Sequence, residues 1–252
     1  MTRTRTLMTT TKTTGLALLA AGLMATGLAA SAALAADAAD GIPKSRLPAA
    51  GTPNIAGAWT MPARPKMVKT VAGKEPPLLP AARAEYQKRQ AALQKDPKTD
   101  PIADCLPHGP LRIFYNPYPL LILQESDQVD FVFEANHTYR FVDLTRPPPQ
   151  LNDDTRTSTY MGYAAGKWQG KTLVVDTVGF NDKTWLDASG LPHGEKLTTQ
   201  EKFTLKDPNT LEGVVTVTDP DNYSAPWTTS FTLKRLANYQ PTEMVCVNDH
   251  KM

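Results

Sequence analysis

The stretch YAAGKWQGKTLVVDTV, running from Tyr163 to Val178, decides the fold. It reads as two strands, Tyr163–Trp168 and Lys171–Val178, flanking Gln169-Gly170, a tight turn of the kind that joins antiparallel neighbours. Working outward, the same pattern repeats. Leu120–Glu125 and Val129–Glu134 are parted by Ser126-Asp127-Gln128, and Thr138–Asp143 follows with Tyr139 and Phe141 on one side and Arg140 on the other. Leu197–Lys206 and Thr210–Thr218 flank Asp207-Pro208-Asn209, and Trp227–Arg235 and Thr242–Val247 close the series. Helical periodicity is absent from these segments. The reading is an all-β domain, an antiparallel meander. A run of hairpins must dispose of its edge strands, and closure into a barrel does so.

Before the strands lies one helix, Pro80 to Lys95. Pro80 suits a first turn, Ala and charged residues fill the interior, and Asp96-Pro97 stops it. Its apolar face, Tyr86 and Leu93, is thin enough to predict a place on the surface. Residues 100–119 are Pro-rich and irregular yet hold Cys105, Arg112 and several aromatics, which predicts an ordered strap over the barrel. Residues 36–54, rich in Ala, Pro and Gly, read as a linker, and residues 55–252 as one domain.

The first 35 residues read as a secretory signal peptide. Arg3, Arg5 and Lys12 precede an apolar run from Gly15 to Ala30, and Ala33-Leu34-Ala35 offers small residues where a signal peptidase cuts. No later segment is apolar enough to span a bilayer, so no membrane insertion is expected after cleavage. The whole chain carries 27 Lys+Arg against 25 Asp+Glu; without the three basic residues of the leader it is slightly negative. A nucleic-acid partner would ask for a basic face, and none is visible. The two cysteines, Cys105 and Cys246, are the number one bridge needs, and export predicts that they pair.

Two resemblances sharpen this. Gly57-Ala58-Trp59 in the first strand, with Arg235 ending a late one, is similar to the lipocalin-like barrels, in which the Trp plugs one end and the Arg stacks across it. A sandwich with Trp59 in its core is the alternative. A longer set of motifs spans most of the chain. Pro76-Pro77-Leu78, Cys105-Leu106-Pro107 followed by Arg112, and Pro117-Tyr118-Pro119 come first. The runs Phe133–Arg140, Gly166–Thr177 and Gly179–Asp187 follow, then Pro192-His193-Gly194-Glu195 and Val245-Cys246. In that order they resemble a large family of secreted bacterial proteins usually described only as hypothetical. The resemblance implies export and no particular activity. Many members carry Ser where this chain has Gly194, which argues against a hydroxyl role there.

Candidate chemistry gathers between Val178 and Leu197, a connection longer than a hairpin needs. Phe180, Trp185 and Leu186 could anchor it as a lid, with Asn181, Asp182, Asp187, His193 and Glu195 pointing inward. His193 near a carboxylate suits acid–base work; a surface histidine in a turn is the alternative. His137 stands at the start of a strand, with Arg140 on its opposite side unless a turn at Asn136 breaks the alternation. Asp176 lies in an otherwise apolar strand, so it either lines a cavity or is solvated outside. The expectation is an exported, metal-free enzyme performing hydrolysis, elimination or isomerisation on a small organic substrate in a β-barrel pocket, with His137, His193 and Asp176 moving protons and Arg140, Asn181, Trp185, Asp187 and Glu195 binding the substrate. The alternatives are a non-catalytic periplasmic ligand-binding protein and a structural envelope component. No phosphate loop, G-x-S-x-G elbow, H-E-x-x-H or EF-hand loop is present, and the four histidines are scattered. No cofactor and no metal are therefore expected.

Overall fold

The computed structural model describes residues 47–63, 65–149, 158–242 and 244–246. The predicted leader, most of the predicted linker and Val247 lie outside the described residues.

Buried and exposed side chains alternate along the strands, and that alternation builds the interior. In β7 (Thr198–Asp207) the buried positions are Thr199, Glu201 and Phe203; in β8 (Thr210–Thr218) they are Leu211, Gly213, Val215 and Val217. In β9 (Trp227–Leu236), Trp227, Thr229, Phe231 and Leu233 face the same side. The register stacks them in layers: Thr199 beside Val217 and Trp227, Glu201 beside Val215 and Thr229, Phe203 beside Gly213 and Phe231. β5 (Tyr163–Gln169) and β6 (Thr172–Val178) extend the sheet, followed by β4 (Tyr139–Asp143), β3 (Gln128–Phe133) and β2 (Leu120–Gln124). The four-residue β1 (Gly57–Thr60) pairs with both β2 and β9, so the nine strands among the described residues form a closed barrel, and α1 (Pro80–Lys95) is the single α-helix among those residues.

Two expectations need correcting. The meander is not wholly antiparallel: β4 and β5 run parallel, joined only at Val142↔Ala164 and Asp143↔Ala165. A parallel pairing needs a connection that returns past β4 before β5 begins, rather than a tight hairpin turn. Of the expected strand at Thr242–Val247, the described residues, 242 and 244–246, lie in no strand. β1 occupies the free edge of β9 instead, and the tail is held by Tyr239 against Glu134 and by the Cys105–Cys246 disulfide.

The Trp–Arg stack is present. Trp59 is fully buried, its indole N–H donates to the Ile55 carbonyl at 2.9 Å, and the Arg235 guanidinium carbon sits 4.2 Å from its ring centroid. Gly57 lets the arginine in. Its φ is +120°, and a Cβ there would meet Arg235 Nη1 at 2.6 Å, so only glycine suits both the backbone and the space.

The strap goes further than crossing the barrel. A 3-10 turn, Arg112–Tyr115, sends Phe114 into the lumen, where its ring stacks on Phe231 at 4.6 Å and meets Phe133 edge-on at 5.5 Å. Phe131 and Phe203 complete the group. Arg112 anchors the turn through a bidentate bond to Asp100, at 2.8 and 2.6 Å. The central lumen is therefore filled by hydrocarbon, and each such ring contributes about 2–3 kcal/mol by burial.

Candidate functional site

Residues 179–196 do not form a lid with inward polar groups. They form a packed wall in which Phe180, Leu186 and Leu191 are fully buried, and their polar side chains hold the wall's own backbone. Asp187 accepts from the N–H groups of Ser189 (2.9 Å) and Leu191 (3.0 Å), the Ser189 hydroxyl (2.8 Å) and the Val68 N–H (3.0 Å). Asn181 accepts from the Lys183 N–H at 3.1 Å. Trp185 packs under Arg89 of α1, 5.5 Å from ring centroid to guanidinium. His193, 4% exposed, is 2.8 Å from the Thr184 hydroxyl through Nε2 and 3.3 Å from the Gly194 carbonyl through Nδ1. Burial pushes its pKa down, against the upward pull of the Gly194 carbonyl and Asp219. Glu195 is exposed and meets the Ser158 hydroxyl at 3.5 Å.

The other candidates lie elsewhere. Asp176 faces outward on β6, accepts from Gln200 at 2.9 Å, and lines a small hollow of about 280 Å³ with Lys167 and Pro147. His137 is exposed at the mouth of a larger cleft. The expected convergence of His137, His193 and Asp176 in one enclosed hollow is thus not met: the first lines one cleft, the second is packed in a loop, the third lines another hollow. Arg140 faces the lumen, where its guanidinium donates to Glu201 at 2.7 Å and to Thr177 at 2.8 Å; the two charged residues are 2% and 1% exposed.

The larger cleft, about 870 Å³, lies where β4 and β5 part. Its size is that of a small-molecule site. The two strands touch only near Asp143, so Tyr139 to Phe141 has no strand partner on that side. Gly162 opens the gap. With φ at +69° it turns the incoming chain onto β6, so closely that a Cβ would lie 2.7 Å from both Thr177 Cγ2 and the Val178 carbonyl. Thr159 bridges to Phe180 rather than to β4.

On the β4 side the rings of Tyr139 and Phe141 lie 4.9 Å apart and are 59% and 55% exposed. Large apolar side chains so open to water are unusual on a folded surface and mark interaction sites when clustered. Tyr160, Met161 and Tyr163 line the other side, and Pro147–Pro149 the rim. Two buried polar atoms of lining residues, Thr138 Oγ1 and Arg140 Nε, have no hydrogen-bond partner among the described residues. Both are sealed from solvent, and the Arg140 guanidinium lies in the lumen, so neither is open to the cleft. The turn at Asn136-His137 adds strain: both residues are left-handed, at φ +52° and +47°, and Asn136 Nδ2 ties the turn to the Leu106 carbonyl at 3.0 Å. Left-handed non-glycine residues cluster at binding sites. At the far end, the Thr145 hydroxyl and N–H, with Arg146 beside them, hold the Asp143 carboxyl down at about 2. Among the described residues no group of three or more His, Cys, Asp or Glu is placed to hold a metal ion, and no helix is long and apolar enough to cross a membrane.

Of the candidate catalytic and binding residues, only His137 and Arg140 line this cleft; Tyr139 and Tyr160, which the sequence offers as flat apolar walls or as core, line it too, and Phe141 and Thr138 were missed as its components. A usable signal existed for the side that Tyr139 and Phe141 take: once Phe131 and Phe133 are placed inside, hairpin pairing puts Arg140 inside and leaves those two outside. Comparison of the chain with protein-family models and with curated proteins finds no match.

Proposed function

We propose that this is an exported, non-catalytic ligand-binding protein that holds a small organic molecule in the cleft between β4 and β5. The observation that carries the reading is the pair of adjacent, exposed aromatic rings, Tyr139 and Phe141, on the wall of a cleft of about 870 Å³. Flat apolar walls supply affinity, and a few fixed polar atoms supply orientation. An acid–base role asks for a histidine and a carboxylate open to one cavity, and the three residues proposed for it share none. Export is supported by the basic start, apolar run and Ala33-Leu34-Ala35 site, by the motif order similar to secreted bacterial proteins, and by the disulfide.

The test is a thermal-shift screen against aromatic and sugar compounds on the chain beginning at Ala36. A ligand at a hundred times its Kd stabilises by about 2.7 kcal/mol, a readable rise in Tm. Tyr139→Ala should abolish the rise and His193→Ala should keep it. A rise lost with His193→Ala and retained with Tyr139→Ala would refute the assignment of the cleft. Export is checked by the mass of the mature chain, which should begin after Ala35.

A further inference from the structure

We infer that the ligand of the β4–β5 cleft is a peptide in extended conformation, which pairs with β4 as an added strand; the inference rests on the binding reading above and adds the class of ligand. The main chain of β4 carries it. In an antiparallel ladder the N–H and C=O of alternate residues point to the partner strand, and those of the residues between point away. Both ends of the β3–β4 ladder fix the phase. The Thr138 carbonyl accepts from the Phe133 N–H at 2.8 Å, and the Leu144 N–H donates to the Asp127 carbonyl at 2.9 Å. Arg140 and Val142, between them, therefore also bond to β3, while Tyr139, Phe141 and Asp143 turn their main-chain groups towards β5. β5 meets β4 only at Val142↔Ala164 and Asp143↔Ala165. The N–H and C=O of Tyr139 and the N–H of Phe141 are left without a strand partner among the described residues.

The two residues that carry these groups line the cleft and are 59% and 55% exposed, so it is the margin of β4, not the lumen, that faces it. A strand margin with free N–H and C=O groups is a template for another chain, and folded proteins guard such margins with lysine or proline. β4, from Tyr139 to Asp143, has neither. Tyr139 offers a donor and an acceptor, and Phe141 a second donor one pleat further on. An extended peptide presents the matching acceptor, donor and acceptor at that same two-residue repeat, and main-chain bonds of this kind give affinity to added strands generally.

The occupant is a lone segment rather than the edge of a second barrel. Tyr160, Met161 and Tyr163 close the far side, so a strand entering the cleft stands between two walls of one chain and can bring no neighbouring strand with it. Side chains then set the preference. Residues directly opposite on adjacent antiparallel strands have Cβ atoms about 4.5–5.5 Å apart, and aromatic–β-branched pairs are favourable, so Val, Ile or Thr suits the positions facing Tyr139 and Phe141. Charge adds a sign. Arg140 is paired with Glu201 and Arg146 with Asp143, whereas Asp127, an exposed lining residue, has no ion pair among the described residues. The segment is therefore β-branched at alternate positions and basic at one end, since an acidic end would meet Asp127 and no uncommitted arginine or lysine of the lining.

The experiment screens the mature chain on an array of acetylated, amidated octapeptides of alternating Val and Thr, ended by Lys, Gln or Glu, and measures the best binder by calorimetry. Lys-ended peptides should bind most tightly and Glu-ended ones least. With the best binder present, the amide protons of Tyr139 and Phe141 should exchange about tenfold more slowly or better by NMR, while those of Arg140 and Val142, already bonded to β3, stay as they were. N-methylation of the peptide, one residue at a time, should weaken binding by about tenfold at every second residue and little between. Peptide binding without slowed exchange at Tyr139 and Phe141, or methylation losses without the two-residue repeat, would overturn the added strand. Glu-ended peptides binding most tightly would overturn the basic preference. An aromatic or sugar compound bound through Tyr139, with no octapeptide bound, would overturn the peptide class and leave the binding cleft standing. Slow exchange of both amides in the free chain that is lost on dilution would place a second copy at the margin and overturn the lone segment. No binding by octapeptide or compound would overturn both the inference and the reading it rests on.

Discussion

Replacing Arg140 by Met removes the guanidinium and keeps most of the stem, which isolates the charge. Glu201, 1% exposed, is then left with the Thr199 hydroxyl at 3.3 Å as its remaining partner among the described residues, and Thr177 Oγ1 loses its donor. Breaking a buried pair by removing one member costs about 3–5 kcal/mol, because the survivor's charge is uncompensated. With a urea m value of about 2 kcal/mol/M, the unfolding midpoint should fall by roughly 2 M while m stays constant. The double variant Arg140→Met, Glu201→Leu replaces the pair with hydrocarbon in a lumen that already holds Phe114, Phe131 and Phe203. It should recover most of the loss and sit within about 1–2 kcal/mol of the parent. Tryptophan fluorescence in urea reads both, and the cycle gives the coupling directly. A single-variant cost below about 1 kcal/mol would mean that water reaches Glu201. The sealed lumen, and with it the argument that ligands are held outside it, would then be wrong.

Two further outcomes follow from the buried groups. His108 is held down at about 4, chiefly by burial and then by the Arg112 charge, against an ordinary value of 6.5. A depressed histidine binds its proton more readily when unfolded, so stability is full above pH 6.5 and is lost as the pH falls towards 4, by about 3 kcal/mol in total. His108→Gln should flatten that part of the profile in urea titrations at successive pH values, and an unchanged slope would refute the assignment. His193, also lowered by burial, acts in the same direction, so some slope should remain. The Cys105–Cys246 bridge closes a sequence separation of 141 residues, for which the chain-entropy model gives about 5 kcal/mol. Cys246→Ser should destabilise by about 3–5 kcal/mol, and a midpoint unmoved by reductant in the wild type would contradict this.

How much was legible depends on which physical constraint each residue answers to. The alternation Leu211, Val215, Val217 and then Trp227, Phe231, Leu233 could be read directly, because a half-buried strand repeats every two residues. The Trp59–Arg235 stack was legible for a different reason: Gly57-Ala58-Trp59 with a late Arg235 resembles the lipocalin-like barrels, and that resemblance implies the contact. The parallel contact of β4 and β5 was not, since the composition of residues 144–162 does not fix the end to which the chain returns. Met244-Val245-Cys246 looked like a strand because apolar residues do, but edge pairing was decided by β1. The polar residues at 181–195 misled most. A long buried loop has no ladder to satisfy its backbone, so Asp187, Asn181 and His193 supply partners for it or for neighbouring side chains, and a dense polar sequence is the mark of that task as much as of chemistry.

The same reasoning fixes where a ligand can approach. A barrel filled by its own strap offers no central pocket at the level of Phe114, and closure removes the free edges on which small molecules or strands could dock. What remains is the one junction where two neighbouring strands run parallel and separate after Val142↔Ala164. There Gly162 turns the chain onto β6, and β4 is left with an uncovered margin bearing Tyr139 and Phe141. A Cβ at residue 162 would have to displace the Val178 carbonyl or the Phe180 ring, pushing the incoming chain back towards β4. Gly162→Ala should therefore disturb the cleft while the Phe114 cluster keeps its packing. The assay is two-dimensional NMR. Shifts concentrated at Tyr139, Phe141 and Tyr160 with Phe203 and Phe231 unmoved would support Gly162 as the residue that shapes the seam, and shifts spread evenly through the lumen would refute it.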